Sequence, residues 1–381
     1  MDITVIKNFV ADNQLYILAG FFLFFLLIQL VYYLGIYARL VFYRHKQSAG
    51  LNEPVSVIIC ARNEADNLEK YLPAVLSQHY PEFEVIVVDD GSSDDTEFLL
   101  RRIAERYPHL RTTTIREDKK FTHGKKLAVT LGIKAAKYDI LLFTDADCEP
   151  ASDQWLKKIV TKFTAGREIV LGYGGYFSHK GLLNKYIRYD TLFIAMQYLS
   201  FALSGFPYMG VGRNIAYRKS FYRKTAGFSK HLHLFSGDDD LFVNENADKR
   251  NTTVEFSHES HTRSVPGDSF SKWWRQKKRH LTTAPLYKGK HKLLLALEPL
   301  SRLFFYVFFA VLLCFPELQL MALGAFAFRL VIQLIIIKQS MIRLKENNLL
   351  LYVILFDVFA LFINFVLFVT NRIRVRNRQW K

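Results

Sequence analysis

Cysteine is scarce: Cys60, Cys148 and Cys314 are the only three in the chain, and they show neither pairing nor metal-ligand spacing. A disulfide scaffold is thereby excluded, and so is a thiolate zinc site. Charge is missing altogether from residues 15–37, a run longer than the roughly 20 residues a helix needs to cross a bilayer. It is too long for a signal-peptide core and lacks a small-residue cleavage pattern, so it reads as a retained anchor. Acid is in short supply as well, with 35 Asp and Glu against 51 Lys and Arg and a formal net charge of +16. Such a surplus invites a nucleic-acid partner. The cations, however, sit beside hydrophobic blocks: Arg39, Arg44 and Lys46 after the first, Lys272 to Lys292 before the second, Arg372 to Lys381 at the end. That placement fits anionic headgroups and the positive-inside rule, and no nucleic acid is expected.

What the sequence has in quantity is hydrophobicity, at 50% of residues and a mean hydropathy of +0.06. It returns after Lys292 in blocks near residues 303–315, 318–337 and 349–370. Composition therefore divides the chain into an N-terminal membrane anchor (1–50), a globular section (51–287) and C-terminal membrane helices with a basic tail (288–381). The basic residues after the anchor place the globular section in the cytoplasm, in an integral protein of the inner or plasma membrane. Keeping both later basic segments on that side requires 303–337 to form a hairpin and 349–370 to be re-entrant or interfacial, with Asp357 and Asn364 as its polar support.

Within the globular section, residues 55–60 read as a buried strand, followed by a helix over 67–78. A second strand, 85–88, runs into Asp89, Asp90, Gly91 and Ser92. A third lies near 112–115, and Thr122, His123, Gly124, Lys125 and Lys126 lead into a helix over 127–136. A fourth, residues 140–143, stops at Thr144, Asp145, Ala146 and Asp147. Strand alternating with helix in this way argues a doubly wound, mainly parallel sheet, and such sheets bind ligands at the carboxyl ends of their strands. Residues two apart in an extended segment share a face, which brings Asp145 and Asp147 together. Hard carboxylates so placed suit Mg²⁺ or Mn²⁺ bridging a diphosphate. The bland reading is a solvated turn.

Lysine at a helix start opposes the dipole unless an anion sits there, and Lys125 suits a nucleotide phosphate. A glycine-rich strand is expected over 170–176. Residues 182–206 read as an amphipathic segment on the membrane or under an acceptor, or else as a core helix. The GVGRNIAY stretch at 210–217 matches no phosphate loop. Asp238, Asp239 and Asp240 crowd the head of a helix over 241–248, so at least one needs a partner or a raised pKa, as a general base would have. His258 and His261 lack companion ligands and read as structural.

In this order the motifs resemble those of the inverting GT-A glycosyltransferases of family 2, which include cellulose, chitin and hyaluronan synthases and ceramide glucosyltransferases. The resemblance covers about residues 54–281. It implies a GT-A α/β domain, a mixed and mostly parallel Rossmann-like sheet flanked by transmembrane helices. Asp89 and Asp90 correspond to the nucleotide-binding aspartates, Lys125 to the nucleotide lysine, and Asp145 and Asp147 to the DxD metal motif. Asp238 and Asp239 correspond to the acidic pair whose second member is the base. Gln276 and Arg279 correspond to the QxxRW motif, except that His280 replaces its tryptophan, so acceptor stacking there and processive polymerisation are not carried over. The implied reaction moves a sugar from a nucleotide sugar, UDP-linked by preference, to a lipid or glycan acceptor with inversion. A nucleotidyltransferase shares the sheet and carboxylates but rarely needs membrane spans. A catalytically silent membrane scaffold is the remaining alternative, against which the retention of Asp239 counts.

Overall fold

Val55, Val57, Ile58 and Ile59 are apolar on both faces of one strand, which only the middle of a covered sheet tolerates. In the computed structural model, which describes residues 13–45, 52–115, 124–231, 234 and 236–371, they form β1 (Val55–Ala61), buried along its whole length. The strands that follow are β2 (Phe83–Asp89), β3 (Leu110–Thr114), β4 (Ile140–Asp145), β5 (Cys148–Pro150), β6 (Ile169–Gly172), β7 (Gly174–Tyr176), β8 (Ile215–Arg218), β9 (Thr252–Glu255) and β10 (Thr262–Ser264). Seven of them make one sheet in the order β3-β2-β1-β4-β8-β6-β9. Only β8 runs against its neighbours, so the sheet is mixed and mostly parallel, as expected. A small second sheet, β5-β10-β7, stands beside it.

Alternation along β1 separates two cores. Val55, Val57, Ile59 and Ala61 pack with the helices Ala65–Leu76 and Thr96–Ala104 and with Trp155, whereas Ile58 and Cys60 face the helix Lys125–Ala135. That helix comes so close that a Cβ on Gly132 would lie 2.5 Å from Ile58 Cγ2, and glycine there permits the contact. The four expected strand–helix units thus occur within a few residues of their anticipated bounds. The expected strand over 170–176 is instead two, β6 and β7, assigned to different sheets, with Tyr173 at the break.

Of the two readings open for residues 182–206, the core helix is the one found: Leu182–Leu203 buries Tyr186, Tyr189, Leu192, Met196, Tyr198, Leu199 and Phe201. Its polar face is weak because it is covered on several sides, by β7 and β9 and by the apolar helices. Thr122, His123, Lys46 and the basic residues 372–381 lie outside the described residues.

Among the described residues, four helices are long and apolar enough to cross a membrane: Gln14–Phe42, Gly289–Leu312, Pro316–Arg343 and Leu350–Thr370. The second was expected to be the shortest block, at 303–315, but its helix begins at Gly289 and has 24 residues. Hydropathy misses its start because Lys290 and Lys292 there are exposed and because Glu298 and Arg302, paired inside the bundle, count as polar. Arg302 bonds Asp357 at 2.5 Å and meets Glu298 at 3.4 Å, Arg329 reaches Gln29 at 2.9 Å and Asp357 at 3.5 Å, and Tyr306 donates to Asp357 at 2.6 Å. Asp357, read from sequence as support for a re-entrant segment, is thus satisfied internally, in a helix that runs unbroken from Val353 to Asn371.

The turn between the third and fourth apolar helices is plugged into the globular part. Glu346 accepts from Tyr173 at 3.0 Å and pairs with Arg188 at 2.6 Å and with Arg263 of β10. Arg188 also reaches Asn347 Oδ1, and Arg263 the carbonyls of Leu344 and Lys345, each at 3.0 Å.

Candidate active site

The carboxyl ends of β1, β2 and β4 open into one cleft, and the register that sets Cys60 beside Asp145 fixes where the acidic residues emerge. Asp145 is the last residue of β4, while Ala146 and Asp147 form a turn into β5. The shared face inferred from strand alternation therefore arises differently, from a tight turn. Carboxylate oxygens of Asp145 and Asp147 and the Cys148 sulfur lie within 4.8 Å of one another. Asp147 is steadied by the Ser264 hydroxyl of β10 at 2.8 Å. Burial, then Asp147 and Asp145, push the Cys148 thiol well above its usual range, so the carboxylates are the better ligands of the three. The oxygens that remain fit a hard ion such as Mg²⁺ or Mn²⁺.

Lys125 reaches across this pair, 2.7 Å from Asp145 and 3.7 Å from Asp238. Burial works against its charge, but Asp145, Asp238 and Asp239 raise its pKa well above the ordinary value. Reciprocally, burial would raise the Asp145 carboxyl, and Lys125, Arg213 and Arg279 outweigh it and lower the pKa. Asp145 is thus ionised and ready for a cation.

The three neighbouring carboxylates take different parts. Asp240 is buried, accepts from the Thr283 hydroxyl, from Tyr287 at 2.7 Å and from the Leu241 N–H at 2.7 Å, and so anchors the helix Asp240–Asn246. Asp238 faces Lys125. Asp239 is half-buried and held by two backbone donors, Gly212 N–H at 2.6 Å and Asp240 N–H at 2.8 Å. Burial, followed by repulsion from Asp238 and Asp240, pushes its carboxyl up to about 7. The crowding noticed in the sequence is relieved in this way, by one structural acid and one poised to exchange a proton near neutrality.

Asp89 and Asp90 are buried at the end of β2. Asp89 spends an oxygen on Ser92, accepting from its hydroxyl at 2.6 Å and its N–H at 3.0 Å. That turn is tied to the loop after β1, because Asn63 accepts from Ser93 N–H at 2.8 Å and donates its own N–H to Ser92. The two loops form one rim over the cleft. On the opposite wall the helix Phe270–His280 carries Gln276, Arg279 and His280, and Lys277 pins it to the Leu182–Leu203 helix through Asp190 at 2.6 Å. Gln276 donates to the Tyr176 hydroxyl at 3.2 Å, and Arg279 acts on Asp145 through its field. His280 is exposed.

Of the residues singled out from sequence, Lys125, Asp145, Asp238 and Asp239 line one pocket, Asp147 stands beside Asp145, Asp89 and Asp90 lie at the end of β2, and Gln276 is tied to Tyr176. Sequence reasoning missed the loop before β8: Gly212 holds Asp239, and Arg213 stands over Tyr176. The only signal was an arginine between a glycine and an asparagine, too short to separate from a turn.

Comparison with known proteins brings these features together. The model of glycosyl transferase family 2 matches residues 56–226, and that of glycosyl transferase family group 2 matches residues 142–370. Glycosyltransferase AglE of Haloferax volcanii is 37% identical over 139 residues, which are 36% of this chain and 44% of that protein. A poly-beta-1,6-N-acetyl-D-glucosamine synthase of Staphylococcus aureus is 36% identical over 95 residues, 25% of this chain and 22% of that protein. The chain therefore spans less than half the length of these relatives. The mannosyltransferase PcManGT of Pyrobaculum calidifontis, solved with GDP-Man and Mn²⁺, superposes with a TM-score of 0.57 at 18% identity, covering 87% of this chain and 98% of that one. It shares the fold.

Proposed function

Because the chain belongs to glycosyl transferase family 2, we propose that the cleft transfers a sugar from a nucleotide diphosphate donor to a hydroxyl of a lipid or glycan acceptor, at the membrane and with inversion. The observation that carries this reading is the pairing, in one cleft, of ionised Asp145 beside Asp147 with Asp239, whose carboxyl is pushed up to about 7.

Asp145 and Asp147 would hold a divalent ion, which supplies charge neutralisation for the departing diphosphate. The rim made by the loops after β1 and β2 would take the nucleoside, with Asp90 beneath it. As the bond from the anomeric carbon to the diphosphate oxygen breaks, its electron pair leaves with the phosphate, and Lys125 and Arg279 stabilise that charge. Asp239 accepts the proton of the attacking hydroxyl, fixed for the task by the Gly212 and Asp240 N–H groups. One displacement inverts the anomeric centre, and no covalent nucleophile is required.

The four apolar helices would all cross the membrane, with the cleft on the cytoplasmic face where nucleotide sugars are made. The relatives' names, together with the bundle below the cleft, favour an acceptor in cell-envelope glycan or glycolipid synthesis. A donor screen of UDP- and GDP-sugars against lipid and glycan acceptors, using the full chain in detergent with Mn²⁺, tests the reading. Transfer from one donor class is expected. Incorporation of nucleotide in place of sugar would make the protein a nucleotidyltransferase, and no turnover with any donor would leave a silent scaffold.

A further inference from the structure

We infer that Arg213 is a contact for the donor's diphosphate, carried to it on a platform built from Tyr176, Gly174 and Gln276. This rests on the donor reading above and adds a residue to it. The argument begins with supply of charge. Lys125, the natural phosphate ligand by sequence, is already 2.7 Å from Asp145, so a diphosphate entering the cleft needs further cations. Arg213 is one, and its field acts on Asp145 and Asp147.

Its setting is specific. The Arg213 guanidinium lies over the Tyr176 ring, 4.3 Å from the centroid, and the far side of that tyrosine is fixed by Gln276. Its carbonyl accepts from Thr262 Oγ1 at 3.0 Å. Its stem crosses Gly174, where an added Cβ would sit 2.9 Å from Arg213 Cβ, closer than such atoms approach. Yet after this much support Nη1 is withdrawn from water and has no acceptor. A buried N–H without a partner is destabilising, and an arginine present only to brace the fold would place its fork on a carboxylate or carbonyl, as Arg188 and Arg263 do. An orphan donor beside the metal-site carboxylates is what an incoming phosphate oxygen would satisfy. Gln276 therefore acts as a positioning residue.

The test compares competition by nucleoside diphosphate and monophosphate (UDP with UMP, GDP with GMP) for the full-length protein in detergent with Mn²⁺, read as binding. Wild type is expected to favour the diphosphate. Arg213→Gln should lose at least about tenfold in diphosphate affinity with monophosphate affinity unchanged, and Gln276→Ala should shift the ratio the same way by less. If Arg213→Gln melts out, Gly174→Ala, whose methyl displaces the arginine stem, carries the same comparison. An unchanged diphosphate-to-monophosphate ratio in the folded variant overturns the assignment. Wild type that binds neither nucleotide would overturn the donor reading itself, a separate result.

Discussion

Two of the buried charge clusters among the described residues are built on opposite plans. In the helix bundle Arg302 and Arg329 face Asp357 and Glu298, with Gln29 and Tyr306 filling in, so cations and carboxylates balance. In the cleft Asp145, Asp238 and Asp239 crowd around the single Lys125, and Asp239 is driven toward neutrality. A buried charge matched by its neighbours holds helices together. One left in excess has been paid for elsewhere in the fold and is available to ligands and protons.

That contrast can be broken experimentally, and the largest effect is expected in the cleft. Asp147→Ala, or chelation of divalent ions by EDTA, should abolish sugar transfer while the melting temperature holds, since a partly exposed turn position tolerates the change; wild-type turnover in EDTA would remove the metal from the account. Next, Asp239→Asn should lower transfer by at least about a hundredfold with nucleotide binding nearly intact. In wild type the same carboxyl predicts that kcat/KM rises with pH through about 7 and then levels.

In the bundle the sign reverses. Asp357→Ala leaves Arg329 without a carboxylate and Arg302 with Glu298 alone and should cost about 3–5 kcal/mol of stability, seen as a lower Tm in detergent, with kcat per folded molecule preserved. The smallest effect sharpens the comparison further. Asp239 binds its proton more tightly folded than unfolded, because about 7 lies above the usual value near 4. Native stability therefore declines as pH rises through that window. Asp239→Asn should melt a few degrees above wild type at pH 8, a difference that closes as the pH approaches 4. A variant that melts lower at pH 8 would assign Asp239 to the same structural class as Asp357.

The parts of this fold legible in sequence were those with short-range signatures. Apolar runs ending in acid marked β2 and β4 and, with β4, Asp145 and Asp147, whereas Asp239 was read from three successive carboxylates at the head of a helix and from the family resemblance. Arg213 was not legible because its meaning depends on Tyr176 and Gln276, residues far along the chain that only the tertiary fold assembles. Glu298 and Arg302 misled hydropathy for the same reason, since a paired charge counts as polar in a sliding window and as core in the bundle. The Leu182–Leu203 helix was ambiguous because period alone does not say whether its partner is lipid or protein.

The docking of Glu346 has a consequence for modularity. Hydropathy draws a line near residue 288, and the groups proposed for catalysis all precede it. The folding unit is wider: one apolar cluster runs from Tyr32 and Tyr37 through Tyr198 and Tyr217 to Ile336 and Phe356. A chain ending at residue 287 would keep Asp145, Asp147 and Asp239 but strip Arg188 and Arg263 of the carboxylate that holds them, and Arg263 adjoins Ser264, the brace on Asp147. The apolar helices are thus more than a tether. They supply part of the wall against which the cleft is shaped, and the globular section cannot be cut away from them without loosening the site it would be cut away to study.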